Sequence, residues 1–248
     1  MNAVRAELLK ARTTRLLLWF GLGLVAFIVL VISVHLATAD PAEIDTASHQ
    51  RSLFEAAGLA GVLAVLVGSV LITTEYVHGT INQTFLAVPQ RARMLAAKLT
   101  AVAVVGGALG LLAVAATFVT AALWFAGRGI GFHLGGGTWL PLLGAIGASM
   151  LAAAMGLGLG AVLRRQTASV VLILLWLLIG ENILATIRGT GPYYPGYAVA
   201  GVVGARGNAT DQTLAFGPAL LVSLVYVAVL CGAGLAVVTR TDVPSSGD

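Results

Sequence analysis

The sequence predicts an all-α integral membrane protein with six transmembrane helices. Of its 248 residues, 58% are hydrophobic and only 10% are charged, and the mean hydropathy is +0.97. Soluble domains carry roughly 25% charged residues, so this composition excludes a water-exposed globular surface. The apolar residues form six continuous runs separated by short polar segments. Continuous runs favour helices over barrel strands, in which apolar residues alternate with polar ones.

Each run is long enough to cross the bilayer, which takes about 20 apolar residues. The predicted spans are 16–36, 56–73, 99–125, 139–163, 168–187 and 214–238. Residues 1–15 alternate apolar with charged side chains, which is typical of an amphipathic helix at the membrane interface. We therefore expect a single transmembrane domain over 1–248, with this interfacial helix, a six-span bundle over 16–238 and a short cytoplasmic tail over 239–248. The first run is longer than a signal-peptide core, which disfavours cleavage after it.

The basic residues predict the orientation of these spans. Ten of the 14 Lys and Arg residues fall on the side of the bundle that carries both chain ends, and four fall on the other side. The positive-inside rule therefore places both termini in the cytoplasm. The basic residues form short clusters between apolar runs and no continuous stripe, so the pI near 9.6 predicts no nucleic-acid partner. The richness in Ala, Val, Gly and Leu is typical of a bacterial plasma membrane protein.

The sequence contains no motif of an enzyme. Neither of its two lysines, Lys10 and Lys98, ends the Gly-Lys-Ser/Thr pattern of a phosphate-binding loop. Cys231 is the only cysteine, which excludes a disulfide framework within the chain and a Cys-based metal site. His49, which follows Glu43 and Asp45 in the first outer loop, is better interpreted as part of a solvated acidic loop than as a metal ligand. We expect a non-catalytic chain that binds no cofactor.

Glu181 is the one carboxylate embedded in a predicted apolar run. An acid inside the membrane is costly unless it is protonated, paired or facing water, so it is a candidate functional residue. Arg188, seven residues later on the same helix face, is the expected partner. Glu181 then acts either as a structural clamp near the outer boundary or as a substrate or proton site.

Pairs of glycines at four-residue spacing predict close helix packing. Gly106 and Gly110 lie in the third run, and Gly156 and Gly160 lie in the fourth. Such pairs allow two helix backbones to approach closely. The sequence leaves open whether the contact is within the chain or at a dimer face.

The segment between the second and third runs carries an ordered set of motifs. It reads Thr74-Glu75-Tyr76-Val77-His78-Gly79-Thr80-Ile81, then Thr84-Phe85-Leu86-Ala87-Val88-Pro89, then Arg91, Leu95, Ala97 and Lys98. This order resembles the membrane subunits of ABC-2-type exporters, in which the second span ends in Glu, an aromatic residue and a basic-Gly-Thr step. A Leu-rich short helix, a Pro and an Arg follow in that family before a Lys opens the third span. His78 stands where Arg is common in the family.

The resemblance implies an export permease that forms dimers, with a second copy or with a sister permease. Each half rests on a separate ABC ATPase subunit, which binds the ATP and Mg. The residues implied in ATPase coupling are Glu75, Tyr76, His78, Gly79, Thr80, Ile81, Phe85, Leu86, Pro89 and Arg91. Gly79 is expected to end the second helix in a left-handed cap, and Thr80 to cap a short cytoplasmic coupling helix. Glu75 is expected to pair with an arginine or to hold the turn, and Arg93 and Lys98 to anchor at lipid headgroups.

The long outer segment, 186–217, is punctuated by Gly, Pro and Tyr and predicts short helices at the outer interface. By resemblance it forms an external gate, and the second and fifth spans line the substrate path. The apolar spans suit a hydrophobic or amphipathic substrate such as a drug, antibiotic, peptide or lipid, as in multidrug efflux and antibiotic resistance. Two other classes stay open: an ATP-independent carrier or channel that uses Glu181, and a non-transporting scaffold or immunity subunit.

Overall fold

The computed structural model describes residues 3–13, 15–80, 90–133, 135, 137, 139–187, 190–204 and 213–240. All regular secondary structure within these ranges is helical. Six of the described helices are long and apolar enough to cross a membrane, and we number them spans 1 to 6. They are Arg15–Thr38, Ala47–Val77, Arg91–Arg128, Leu140–Leu163, Gln166–Leu184 and Phe216–Thr239. The predicted fold class, an all-helical bundle with six spans, is confirmed.

Shorter helices flank the spans. Ala3–Thr13 precedes span 1 and packs against the start of span 3. We call this end of the bundle, which also holds the end of span 6, the proximal end. Pro41–Ile44 lies between spans 1 and 2 at the opposite, distal end. Pro195–Val203, which we call the distal helix, lies between spans 5 and 6 and packs against spans 4 and 6.

Span 3 extends well beyond its predicted boundaries. The helix begins at Arg91, eight residues before the predicted start at 99, and its 38 residues continue to Arg128. At 1.5 Å per residue it is about 57 Å long, well beyond the roughly 30 Å hydrocarbon core. Residues 91–98 contain strong helix formers and no Gly or Pro, so the helix continues through them although three of them are basic. The basic residues at this end of span 3 therefore lie on a helix and not in a loop.

Span 4 occupies the centre of the bundle and contacts spans 2, 3 and 6. Its close contacts depend on glycine. A methyl group at Gly156 would lie 1.9 Å from the backbone oxygen of Val65 in span 2, and one at Gly106 would lie 2.5 Å from that of Ser149 in span 4. Both predicted glycine pairs are thus used within the chain, where small residues allow backbones to touch.

Spans 1, 5 and 6 lie at the periphery. Large apolar side chains on each of them are exposed, including Trp19, Leu178 and Leu221. A lipid bilayer or another protein covers such faces in a membrane. Span 5 contains a π-helical turn, Trp176–Gly180, directly before Glu181. Turns of this kind are often found at functional sites.

Candidate functional site

Four charged side chains meet at the proximal end, and we call Glu7, Lys10, Glu75 and Lys98 the ionic cluster. Oε1 of Glu75 accepts hydrogen bonds from Lys10 Nζ at 2.5 Å and from Lys98 Nζ at 2.6 Å. Lys98 also donates to Oε1 of Glu7 at 2.9 Å. The side chains of Glu75 and Lys98 are only 2% and 3% exposed. The cluster therefore joins the N-terminal helix, the end of span 2 and the start of span 3 by buried charges.

Pairing explains why these charges tolerate burial. An isolated charge in an apolar interior is very costly, whereas a hydrogen-bonded pair offsets much of that cost. Glu75 pairs with Lys10 and Lys98, the two lysines of the chain. The expectation that Lys98 anchors at lipid headgroups is wrong, because its ammonium group is buried between two carboxylates. One feature of the sequence could have predicted this pair. Lys98 lies at the start of an apolar run, and Glu75, likewise isolated from other charges, lies 23 residues before it.

The end of span 2 has the predicted turn. Gly79 adopts φ 67°, in the left-handed region that favours glycine. Its backbone N–H donates to the carbonyl of Tyr76 at 3.3 Å, and that of His78 donates to Thr74 at 3.0 Å. The ring Nδ1 of His78 lies 2.8 Å from the same Thr74 oxygen. The chain thus leaves the bundle at Gly79 and Thr80, directly before the predicted coupling helix.

Two arginines hold the end of span 6 at the proximal end. Arg91 Nη1 donates to the carbonyls of Val238 and Thr239, and Arg164 Nη2 donates to that of Val237 at 2.6 Å. The last carbonyls of a helix lack partners within it and carry partial negative charge, so guanidinium groups satisfy them well. Arg91, which the resemblance assigns to ATPase coupling, therefore also ties the start of span 3 to the last helix.

Several residues of the predicted site lie outside the described part of the chain. They are Ile81, Phe85, Leu86 and Pro89 of the coupling segment, and Arg188 after span 5. Their roles stay predictions. Thr80 is described, but the helix that it was expected to cap falls on 81–89.

Glu181 joins span 5 to the distal helix. Its Oε1 accepts a hydrogen bond from the Trp176 indole at 2.8 Å and from the backbone N–H of Gly196 at 2.7 Å. Gly196 lies in the first turn of the distal helix, where N–H groups lack helical partners and the dipole favours a negative charge. A methyl group at Gly196 would lie 2.2 Å from Glu181 Oε2, so a larger residue there would displace the carboxylate from this position. Glu181 thus holds the start of the distal helix against span 5, and we call this contact between Glu181 and Gly196 the clamp.

An apolar groove of about 780 Å³ runs beside this clamp. Its walls come from spans 2, 4, 5 and 6 and the distal helix. Residues on these walls include Val62, Met155, Leu172, Trp176, Val199 and Tyr226. Its volume lies within the usual range for small-molecule sites, and its lining is mainly hydrophobic with a few polar groups. The groove thus lies between the two spans expected to line a substrate path.

Polar contacts fasten the loops at the distal end. Gln50, which is fully buried, donates to the carbonyl of Gly131 at 2.8 Å and accepts from the backbone N–H of His133 at 2.7 Å. His133 also contacts Asp45 at 2.7 Å, and His35 contacts His49 at 3.1 Å. Among the described residues, no three His, Cys, Asp or Glu side chains converge as metal ligands would.

These features define a multi-pass membrane protein whose spans are joined by buried ionic contacts at one end and enclose an apolar groove. The chain belongs to the ABC-2 transporter family: a family model described as "ABC-2 family transporter protein" matches residues 3–182. The match includes the whole of 74–98, on which the resemblance rests. A search of curated proteins finds no match. The chain is the membrane permease subunit of an ABC transporter. Permeases of this family associate with an ABC ATPase.

Proposed function

We propose that this permease is driven by ATP hydrolysis in a separate ATPase subunit and exports a hydrophobic or amphipathic compound from a bacterial cell. The observation that carries the proposal is the ionic cluster directly before the predicted coupling helix. The proximal end faces the cytoplasm. There the segment 81–89 fits a groove on the ATPase through Ile81, Phe85 and Leu86, as an amphipathic helix does.

The ionic cluster supports transmission of movement from the ATPase to the spans. Spans 2 and 3 flank the coupling segment, and buried charge pairs join their ends to each other and to the N-terminal helix. Arg91 adds the end of span 6 to the same unit. A displacement of the coupling segment therefore moves several helix ends together, since packed interiors transmit strain.

The groove supports the proposed substrate class. Its apolar lining matches a hydrophobic compound, and its position between spans 2 and 5 matches a path along the interface with a second permease copy or a sister permease. The distal helix forms one wall and, together with Glu181, the outer gate. Closure of the gate keeps the path shut on the outer side until the ATPases act.

The geometry of Glu181 favours the permease over an ATP-independent carrier. The carboxylate is 5% exposed and holds the distal helix through hydrogen bonds, so it is engaged in structure. A carrier that moved protons through Glu181 would lose transport on Glu181→Gln. In the permease, ATP-dependent transport persists in this variant, because the amide oxygen still accepts both hydrogen bonds.

The test is purification of the full chain from its native membranes in a mild detergent, with the stoichiometry of the proteins that come with it. We expect an ATPase at close to one copy per permease chain. The double variant Phe85→Asp, Leu86→Asp loses the ATPase, because two charges on the apolar face of the coupling helix cannot be desolvated in its groove.

The control is Phe216→Asp, which makes the same kind of substitution once, at an exposed phenylalanine of the distal end. This variant retains the ATPase. If the unchanged chain purified without an ATPase in several detergents, or if both variants retained the ATPase equally, the proposed coupling would be wrong.

A further inference from the structure

A second cavity lies at the proximal end, separate from the groove. Its volume is about 290 Å³, at the lower end of the range for ligand sites. It lies between the N-terminal helix and spans 2, 3 and 4, and no residue lines both it and the groove. We call it the proximal cavity.

The proximal cavity is apolar inside and charged at one side. Leu71, Val102, Val105 and Leu157 form much of its apolar wall, while all four members of the ionic cluster also line it. The apolar run of span 3 begins one residue after Lys98, so the charged side lies where the hydrocarbon core meets the headgroups. This combination of a dry interior and charged groups at headgroup depth matches a phospholipid.

The charges select among lipid headgroups. The cluster contains two carboxylates and two ammonium groups, so its formal charge is balanced. An anionic headgroup would add an uncompensated negative charge, whereas a zwitterionic headgroup keeps the balance. The half-exposed Lys10 offers its ammonium group to a phosphate, and Glu7 and Glu75 offer carboxylates to a cation.

One atom of the cluster distinguishes between the two common zwitterionic headgroups. Oε2 of Glu75 is buried and has no hydrogen-bond partner among the described residues. A buried carboxylate oxygen without a donor is costly, so a donor is expected there. The ammonium group of ethanolamine has three N–H donors, whereas the quaternary ammonium of choline has none.

We propose that the proximal cavity is a binding site for one molecule of phosphatidylethanolamine. The lipid ammonium group donates to Glu75, the phosphate contacts Lys10, and one acyl chain enters the cavity past Val102 and Val105. The bound lipid fastens the N-terminal helix to spans 2 and 3. This inference concerns a resident lipid and does not depend on which compound the permease exports.

The test is native mass spectrometry of the purified full chain, titrated with phosphatidylethanolamine, phosphatidylcholine and phosphatidylglycerol of identical acyl chains. We expect one phosphatidylethanolamine to bind about tenfold more tightly than either other lipid, the effect of one charge-assisted hydrogen bond. Glu75→Gln reduces this preference, because the carboxylate charge that attracts the ammonium group is lost.

Since Glu75→Gln leaves Lys98 with one carboxylate fewer and can impair folding, a second variant fills the cavity instead. Val105→Phe places a ring in the apolar part and blocks the acyl chain, so lipid retention falls. Its neighbour Val104 is 48% exposed and does not line the cavity, so Val104→Phe is the matched control and binds as the unchanged chain does. Equal retention of the three lipids, a preference for phosphatidylglycerol, or equal binding by the two Phe variants would each overturn the proposal.

Discussion

Glu75 and Lys98 are the residues whose role the structure changes most from the one expected from the sequence. They lie 23 residues apart in the sequence, and the fold brings their side chains within 2.6 Å of each other in the interior. Lys98 also contacts Glu7, so its removal leaves two carboxylates with less compensation. The stability of the proximal end therefore depends on this pair more than on any exposed charge.

Lys98→Met is expected to lower the free energy of unfolding by at most about 3–5 kcal/mol, the usual cost of breaking a buried charge pair, because Lys10 still compensates part of the Glu75 charge. Titration of the purified full chain with a denaturing detergent measures it. The exposed Arg93 on the same helix provides the control, and Arg93→Met stays within about 0.5 kcal/mol of the unchanged chain.

The double variant Glu75→Gln, Lys98→Met separates pairing from burial. It removes both charges of the buried pair, so we expect it to be more stable than Lys98→Met alone. A double variant that is no more stable than Lys98→Met would show that the pair does not determine the stability of this end.

At the scale of helices, glycine determines how closely the spans pack. Gly156→Ala is expected to disrupt the contact of span 4 with span 2, because the added methyl group would lie 1.9 Å from the Val65 oxygen. Gly232 lies in span 6, and a methyl group there meets no other atom within 4 Å. Gly232→Ala is therefore neutral or slightly stabilising, as alanine favours helices. Thermal unfolding of the two variants in the same detergent compares them; equal melting temperatures would refute the close contact.

The clamp between span 5 and the distal helix is a second property at this scale. Gly196→Ala would force its methyl group against Glu181 and break the clamp without changing the carboxylate. We expect faster hydrogen exchange of the backbone amides of Pro195–Val203, since the first turn loses its acceptor. Peptide-resolved exchange of the full chain in lipid nanodiscs measures this.

Gly217→Ala serves as its control, because a methyl group at Gly217 meets nothing within 4 Å near the same end of the bundle. Its exchange in Pro195–Val203 stays unchanged. Unchanged exchange in Gly196→Ala as well would mean that Glu181 does not hold the distal helix.

At the scale of the whole molecule, the distribution of charge predicts which end faces the cytoplasm. The sequence predicts ten basic residues on the side of the two chain ends and four on the other side. In a Cys231→Ser background, a membrane-impermeant maleimide is expected to label Ser48→Cys in intact spheroplasts. Arg93→Cys reacts only after permeabilisation. Both positions are exposed, so a reversed pattern would reverse the orientation.

The number and type of the spans could be predicted from the sequence because they depend on local composition. A run of apolar residues long enough to cross the bilayer must become a helix there, whatever its neighbours are. The ordered motif at 74–98 likewise gave the family, and the left-handed turn at Gly79 followed from glycine before a Thr. The predicted start of span 3 lies eight residues after the observed one, because helix formers continue a helix beyond its apolar run.

Only the tertiary structure decided what the polar residues within and beside these spans do. Glu75 meets Lys98 23 residues away and Lys10 65 residues away, and Glu181 accepts a hydrogen bond from the first turn of the distal helix, 15 residues away. Such contacts depend on how helices rotate and pack, which hydrophobic length does not specify. The sequence by itself therefore determined the six spans, the expected orientation and the family. The fold decided which charges are paired, at which glycines two helices touch, and where the groove and the proximal cavity lie.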